Sequence, residues 1–420
     1  MLFFDLDRFQ EIWQTITKNK VRSLLTAFGV FWGIFMLVIM MGAGHGMEKG
    51  MMQGIDGFAT NSCFLGASQT SLPYKGFQKG RQWNIRNRDV DILLQEIPEI
   101  DVLSPSLWGQ RSTNNVVYGE NSGTYNVRGF QPNYVKIEQQ RLRFGRYINE
   151  IDMAQARKVC VIGTTVYEEL FPTKGNPLGH NIRVNGIFYQ IVGVSSSVST
   201  SIQIGGRSEE TVVIPFSTMQ QVNNQGDVIH MLTVATAPDV SVKDVEEKIK
   251  TVLKANNSIS PDDQQAIWSF NLQEQFQMFQ YLFMGIAIVI WIVGSGTLIA
   301  GIVGVSNILT VTIKERTKEI GIRRALGAKP GTIMGQIIWE GLVLTSIAGL
   351  LGLCFGVLCL ILANKYWLEN ADNVFLADPM ISFGAAVASV VILLFFGLLA
   401  GSLPARRALK VKAIEAIREE

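Results

Sequence analysis

The sequence predicts an α-helical membrane protein with four transmembrane helices and a mixed α+β extracytoplasmic domain carried on a helical stalk. Three observations predict it. Four stretches, near 23–44, 275–313, 341–364 and 379–404, carry no Asp, Glu, Lys or Arg, and about 20 apolar residues are enough to cross about 30 Å of hydrocarbon. The clusters of Lys and Arg at the ends of these stretches all fall on one side, which marks that side as cytoplasmic. Between 45 and 272 no stretch reaches membrane length, and strand signals recur there between Gly, Asn and Pro punctuation.

Composition agrees. A chain of 420 residues with 48% hydrophobic and 17% charged residues belongs among membrane proteins with a sizeable soluble part. The net charge of +2, with its cations at helix ends and not on one broad face, argues against a nucleic-acid partner. Cys354 and Cys359 sit in a membrane run. Cys63 and Cys160 lie in strand-like segments, which leaves open a bridge in an oxidising compartment or two buried free thiols.

Taken in order, residues 1–22 form a cytoplasmic amphipathic helix, with Phe9, Ile12, Trp13 and Ile16 on one face and Arg8, Glu11, Thr15, Lys18 and Arg22 on the other. The first span follows at 23–44, its N-terminal side fixed inside by Lys18, Lys20 and Arg22. The run is too long for the apolar region of a secretory signal. Two split halves of the outer domain share one pattern. The first has a strand at 61–67, a helix at 89–97 and a strand at 102–107. The second has a strand at 229–236, a helix at 242–255 and a strand at 266–272. They pair as a small sandwich of one helical layer on one sheet. The intervening 111–222 reads as mostly β, with one short helix at 166–171 closed by Pro172.

The charge-free run at 275–313 is about 39 residues long. As one helix it would reach about 58 Å, roughly twice the hydrocarbon thickness. Its polar start (Gln275, Gln277, Gln280) and apolar remainder predict an external stalk continuous with the second span. Gly285, Gly294, Gly296, Gly301 and Gly304 would permit close helix approach. A third span at 331–363, an external loop at 364–378, a fourth span at 379–404 and a cytoplasmic tail at 405–420 complete the topology. Arg406, Arg407, Lys410 and Lys412 mark the inner end.

Between the second and third spans lies K-E-R-T-K-E-I-G-I-R-R-A-L-G-A-K at 314–329, with six basic and two acidic residues. Each Lys or Arg would cost about 2.5–3.5 kcal/mol at a bilayer centre, so this segment cannot span. Glu319 and Arg323 stand at i, i+4 and support a helix. Gly321 interrupts it at a cost of about 1 kcal/mol, which suggests a close approach or a bend. Gly327 closes it, with Pro330 beyond. The pattern predicts a short helix across the cytoplasmic membrane face, suited to a groove of another protein. Glu340 is the one acid inside a span, near its cytoplasmic third, and pairing with Arg323 or Arg324, or snorkelling, is expected for it.

Catalytic and metal signatures are missing from the sequence. It has no Gly-x-x-x-x-Gly-Lys-Ser/Thr loop and no Gly-x-Ser-x-Gly elbow. His45, His180 and His230 have no Cys or carboxylate at metal-ligand spacing. The chain itself is therefore read as a non-catalytic subunit with no cofactor of its own.

The run E-R-T-K-E-I-G-I-R-R-A-L-G-A at 315–328 closely resembles the signature that follows the second span of MacB-type, FtsX-like ABC transporter permeases. N-K-V-R-S-L-L-T-A-F-G-V at 19–30 is similar to the family's entry to the first span. R-K-V-C-V-I-G-T-T-V at 157–166, Leu170-Phe171, I-R-V-N-G-I-F-Y-Q-I-V-G-V ending at Val194 and V-V-I-P at 212–215 resemble its external domain. P-A-R-R-A at 404–408 and A-I-E-A-I-R at 413–418 resemble its C-terminal signature.

The resemblance implies a porter-like subdomain at 45–110 and 223–272, a β-rich Sabre-like subdomain at 111–222, and a stalk with the second span at 273–313. It implies a coupling helix at 314–330 whose ATPase contacts fall on Glu315, Arg316, Lys318, Glu319, Gly321, Arg323, Arg324, Ala325 and Gly327. It further implies a homodimer in the cytoplasmic (inner) membrane and a separate cytoplasmic ABC ATPase dimer that binds the ATP. A periplasmic adaptor and an outer-membrane exit duct are further expected partners. The implied work is mechanotransmission for efflux or extraction of an external substrate. The alternative is an FtsX-like scaffold that regulates a cell-wall hydrolase, and the large inserted β part favours the exporter.

Overall fold

The computed structural model describes residues 20–109, 114–172, 175–199, 204, 206–368 and 378–408. The amphipathic helix expected before residue 20, residues 369–377 of the loop expected at 364–378 and the tail after 408 lie outside the described residues, while Asn364–Leu368 of that loop form a π-helical turn. The chain divides into two compact units, one formed by 52–281 and the other by the residues on either side.

The helices are α1 (Lys20–Ile55), α2 (Asn87–Glu96), α3 (Glu150–Ala154), α4 (Thr164–Leu170) and α5 (Phe216–Val222). They continue with α6 (Val242–Asn256), α7 (Leu272–Glu315), α8 (Thr317–Ala325), α9 (Pro330–Ala363) and α10 (Phe383–Ala408). The first strands are β1 (Ser62–Ala67), β2 (Ile85–Arg86), β3 (Ile100–Trp108), β4 (Asn115–Tyr118), β5 (Asn121–Thr124) and β6 (Asn126–Phe130). Then come β7 (Gln140–Gly145), β8 (Val159–Gly163), β9 (Asn181–Val184) and β10 (Ile187–Ser197). The last are β11 (Thr211–Pro215), β12 (Val228–Ile229), β13 (Met231–Thr236) and β14 (Ile267–Asn271).

In the membrane unit α1, α7, α9 and α10 are each long and apolar enough to cross a bilayer. Hydrophobicity alone misplaces two of their ends. Helix α1 does not stop at Gly44 but runs through His45, Glu48 and Lys49 to Ile55, and the chain turns only at Gly57, with φ +88°. Helix α10 passes through Pro404 to Ala408. The proline removes one helical hydrogen bond, and the fully buried Ala400 and Ala405 keep that turn packed. Helix α7 is uninterrupted over 44 residues, about 66 Å at 1.5 Å per residue.

Small residues set the helix spacing. A Cβ on Gly301 would lie 3.1 Å from the Gly29 carbonyl oxygen of α1, and one on Gly352 of α9 would lie 2.5 Å from the Phe31 oxygen. Of the five α7 glycines expected at close approaches, Gly301 and Gly294 meet α1. Gly285, Gly296 and Gly304 face open space among the described residues.

The α/β unit carries a sheet in the order β14-β1-β13-β3-β6-β11-β8-β10-β9-β4-β5, with β7 on β10. At one end the two β-α-β halves interleave. Strand β13 lies between β1 and β3, and β1 lies between β13 and β14, all antiparallel to their neighbours. Helices α2 and α6 cover one face of this part, burying Leu93, Ile97, Val242, Val245, Ile249 and Leu253 in the main core. Further along, β8 and β11 are buried along their whole length, as solid apolar runs require. The insert holds three short helices, α3, α4 and α5, where one was expected. Helix α3 is specified by a capping box, in which Asn149 Oδ1 accepts from the Asp152 N–H at 2.9 Å and Asp152 Oδ2 accepts from the Asn149 N–H at 3.1 Å. Cys63 and Cys160 are free thiols, both fully buried. Burial and the nearby Glu246 carboxylate push the Cys63 thiol up to about 12.

Buried carboxylates tie this unit together. Asp152 is fully buried and takes both arms of Arg146, at 2.6 and 3.1 Å, with Arg157 at 3.8 Å. Burial opposes its charge, but the hydrogen bonds from Arg146 and Asn149 and the two guanidinium charges hold its carboxyl below the usual range. Asp263 and Glu246 are lowered in the same way, against burial, by their own hydrogen bonds. A lowered carboxyl stabilises the fold at pH above its unfolded value of about 4, and that stability is lost as pH falls through the folded value. The contribution of these carboxylates to the stability of the α/β unit should therefore be level from about pH 5 to neutrality and fall steeply below about pH 4. Asp152→Asn should cost about 2–3 kcal/mol at neutral pH and flatten the acid limb, read by thermal melts across pH. An unchanged acid limb would refute this assignment.

Candidate functional site: the charged turn between α7 and α9

Helix α7 ends where Arg316 leaves helical geometry, at φ −98° and ψ 13°. The Thr317 hydroxyl donates to the Ile313 and Lys314 carbonyls, at 3.2 and 2.8 Å, covering backbone acceptors that the bend exposes. Helix α8 then runs nine residues. Gly327, at φ +92°, stops it: the Ala328 N–H donates to the Arg323 carbonyl and the Gly327 N–H to the Arg324 carbonyl. That pair of bonds is a Schellman closure. Lys329 is extended, and Pro330 opens α9 at its first position.

One side of α8 is anchored. Ile320 and Ala328 pack on a small cluster of Ile313, Ile333, Ile337 and Ala405, and Gly321 is buried. The other side is open: Lys318, Ile322, Ala325 and Leu326 are exposed, Leu326 to 83%. Ile322 and Leu326 stand one helical turn apart as an exposed apolar pair on a cationic helix.

A polar network fixes the anchored side. Arg323 Nη2 donates to Glu319 Oε1 at 2.8 Å, and Nη1 donates to Gln336 Oε1 of α9 at 3.1 Å. Glu340, one turn along α9, lies 3.9 Å from Arg316 Nη1 with only 13% of its side chain exposed. These groups line a cleft of about 500 Å³, open solvent included, floored by Leu309, Ile313, Ile333 and Ile337. Its two carboxylates, Glu319 and Glu340, lie against the guanidinium groups of Arg323 and Arg316. The cleft sets the angle at which α8 leaves α7 and meets α9.

Of the residues expected here, the structure brings Arg316, Glu319 and Arg323 together in the cleft. Glu315, Lys318 and Ala325 point outward, Arg324 is half-buried and Gly327 forms the stop. Three residues escaped the sequence reading. Gln336 receives Arg323, and Ile322 and Leu326 form the open face. The i, i+4 spacing of Gln336 and Glu340 on α9 was the available signal. Arg316, not named among the expected partners of Glu340, stands 3.9 Å from it.

The profile of the MacB-like periplasmic core domain matches residues 23–252, and that of the FtsX-like permease C-terminal domain matches 291–413. The chain is 26% identical over 419 residues to a macrolide export ATP-binding/permease protein MacB of Bdellovibrio bacteriovorus, covering 99% of this chain and 62% of that one. It is 28% identical over 416 residues to a pyoverdine export ATP-binding/permease protein PvdT of Pseudomonas savastanoi, covering 99% and 60%. Thus it spans about three fifths of the length of these curated relatives. The crystal structure of the periplasmic region of MacB from Actinobacillus actinomycetemcomitans overlays 55% of this chain and 97% of that one, with 21% identity and a TM-score of 0.43.

Proposed function

The chain belongs to the family of MacB-like, FtsX-like permeases, and on that premise we propose that it is the permease subunit of an ABC exporter working by mechanotransmission. In this reading a separate cytoplasmic ABC ATPase dimer binds the ATP and grips α8. Its closure displaces α7, which moves the extracytoplasmic domain for efflux or extraction of an external substrate. The protein works as a homodimer in the inner membrane, with a periplasmic adaptor and an outer-membrane duct as further partners. The porter-like subdomain spans 45–110 and 223–272, and the Sabre-like subdomain spans 111–222.

One observation carries the proposal: α7 is a single helix from the end of β14 to the start of α8. A hinged rod would dissipate a displacement applied at Arg316; a continuous one passes it on. The roles divide by position. Arg316, Glu319 and Arg323 hold the pose of α8, Gly321 admits its close packing, and Gly327 fixes its end. Glu315, Lys318, Arg324 and Ala325, with Ile322 and Leu326, meet the ATPase.

The test uses Leu326→Cys. In intact cells a membrane-impermeant maleimide should leave this thiol unlabelled, and in inverted vesicles it should label it. A bifunctional crosslinker should join position 326 to the ATPase in membranes holding both proteins. The purified 420-residue chain should hydrolyse no ATP. Labelling from outside, or hydrolysis by the chain alone, would overturn the assignment.

A further inference from the structure

Between β1 and β2 the chain forms a hairpin at 70–81, reading T-S-L-P-Y-K-G-F-Q-K-G-R, with three cations and no carboxylate. Tyr74 and Phe77 exchange backbone hydrogen bonds at 3.1 and 2.9 Å across Lys75 and Gly76. Both turn residues are left-handed, at φ 46° and 86°, the geometry of a tight type I′ hairpin.

The base of the hairpin is clamped by Asp263, which is fully buried. Asp263 Oδ2 accepts from the N–H groups of Ser71 and Leu72, at 2.7 and 3.0 Å. Its Oδ1 accepts from the Ser71 hydroxyl at 2.7 Å and from the N–H groups of Gln265 and Ala266 at 3.1 and 3.2 Å. Arg81 steadies the tip from one side. Its guanidinium lies 4.1 Å from the centroid of the Phe77 ring, while Nη2 donates to the Asn257 and Ser258 carbonyls at 2.6 and 3.1 Å.

A rigid loop has thus been built to hold apolar side chains in water. Leu72 is 40% and Phe77 47% exposed, with exposed Lys75 and Lys79 beside them. Strand β1 leads from α1 toward the hairpin, and the antiparallel β14 leads away from it into α7. The hairpin therefore leaves this sheet at the end opposite to that at which the two long helices join.

We propose that hairpin 70–81 is a docking finger for an extracytoplasmic protein presenting an apolar pocket edged by carboxylates. The sign of the partner follows from the two exposed cations, Lys75 and Lys79, in a hairpin without an acid. A pinned aromatic stacked with an arginine is the composition of a binding hot spot. Arg81 is committed to backbone carbonyls and to the ring, so it is not at the disposal of a lipid phosphate, and this favours a protein over an anionic bilayer. The inference stands independently of the ATPase reading.

The full chain in lipid nanodiscs, panned against a displayed library of constrained peptides, tests it. Enriched peptides should combine aromatic or aliphatic residues with Asp or Glu. Their binding should fall at least about tenfold in Leu72→Ala/Phe77→Ala and in Lys75→Glu/Lys79→Glu. Replacing the acids of a peptide with Lys should restore its binding to the Lys75→Glu/Lys79→Glu chain. Lys75 and Lys79 are exposed and hold no part of the Asp263 clamp, so the Lys75→Glu/Lys79→Glu chain should melt with the wild type. Equal binding to variants and wild type, enrichment without acidic bias, or no enrichment overturns the proposal. So does variant-sensitive flotation of the nanodiscs with phosphatidylglycerol vesicles, which would make the finger a lipid anchor.

Discussion

Arg323→Glu combined with Arg324→Glu is expected to abolish the coupling of a partner ATPase to export, by at least about tenfold in transport per ATP, while the α/β unit melts unchanged. The magnitude does not come from the ion pair as a stabilising contact. Arg323 and Glu319 are 42% and 49% exposed, and pairs of that kind contribute about 0–1 kcal/mol. It comes from reversing a charge in a cleft that already holds Glu319 and Glu340. With Glu at 323, three carboxylates would share a space that two carboxylates and two guanidinium groups now balance, and Gln336 would lose its donor. Helix α8 would leave its seat on α9 and present its outward face at another angle. Arg323→Lys is the graded control. Lysine keeps the charge but cannot hold Glu319 and Gln336 in one rigid fork, so coupling should fall only a few-fold. Reconstituted ATPase and transport assays read both numbers, and undiminished coupling in the double reversal would remove α8 from the transmission path.

The second large effect is in the α/β unit. Gly145 ends β7 at φ +69°, and a Cβ there would lie 2.1 Å from the Val192 carbonyl oxygen and 2.6 Å from Leu178 Cδ2. Its cross-strand partner Gly193 faces the same restriction, 2.2 Å from the Arg146 oxygen. Gly145→Ala adds left-handed strain of about 1 kcal/mol to a clash with backbone that cannot yield without parting β7 from β10. The next residue, Arg146, is the one that holds buried Asp152. Loss of about 3–5 kcal/mol is expected, enough to leave the unit protease-sensitive at 37 °C. Gly186→Ala provides the contrast. Its φ is +88° with nothing within 4 Å, so only the strain remains, about 1 kcal/mol. Equal melting temperatures for the two variants would show that the β7–β10 contact is softer than its geometry implies.

Much of the architecture was legible because its causes are local. Hydrophobic length set the four spans, and the charge of 314–329 set the turn between them. Gly327 and Pro330 marked the end of α8 because each imposes its own backbone geometry. Helix ends were less legible. The polar residues His45 to Lys49 continue α1 as helix, since charge ends a span without ending a helix. In the site, Glu319 to Arg323 was readable as a local i, i+4 pair. The reach of Arg323 to Gln336 and the placement of Arg316 near Glu340 depend on how α9 packs beside α7, and no spacing within α8 encodes that.

The sequence by itself determined which segments enter the bilayer, which face carries the cations, and that two β-α-β halves flank a β-rich insert, because each follows from solvation and periodicity within a few turns of chain. The tertiary structure alone decided that β13 slides between β1 and β3, that Glu340 stands beside Arg316, and that Asp263 clamps a hairpin nearly two hundred residues before it. Those arrangements bring together groups far apart in the chain. Their stability lies in mutual burial and in hydrogen bonds that exist only once the partners have met.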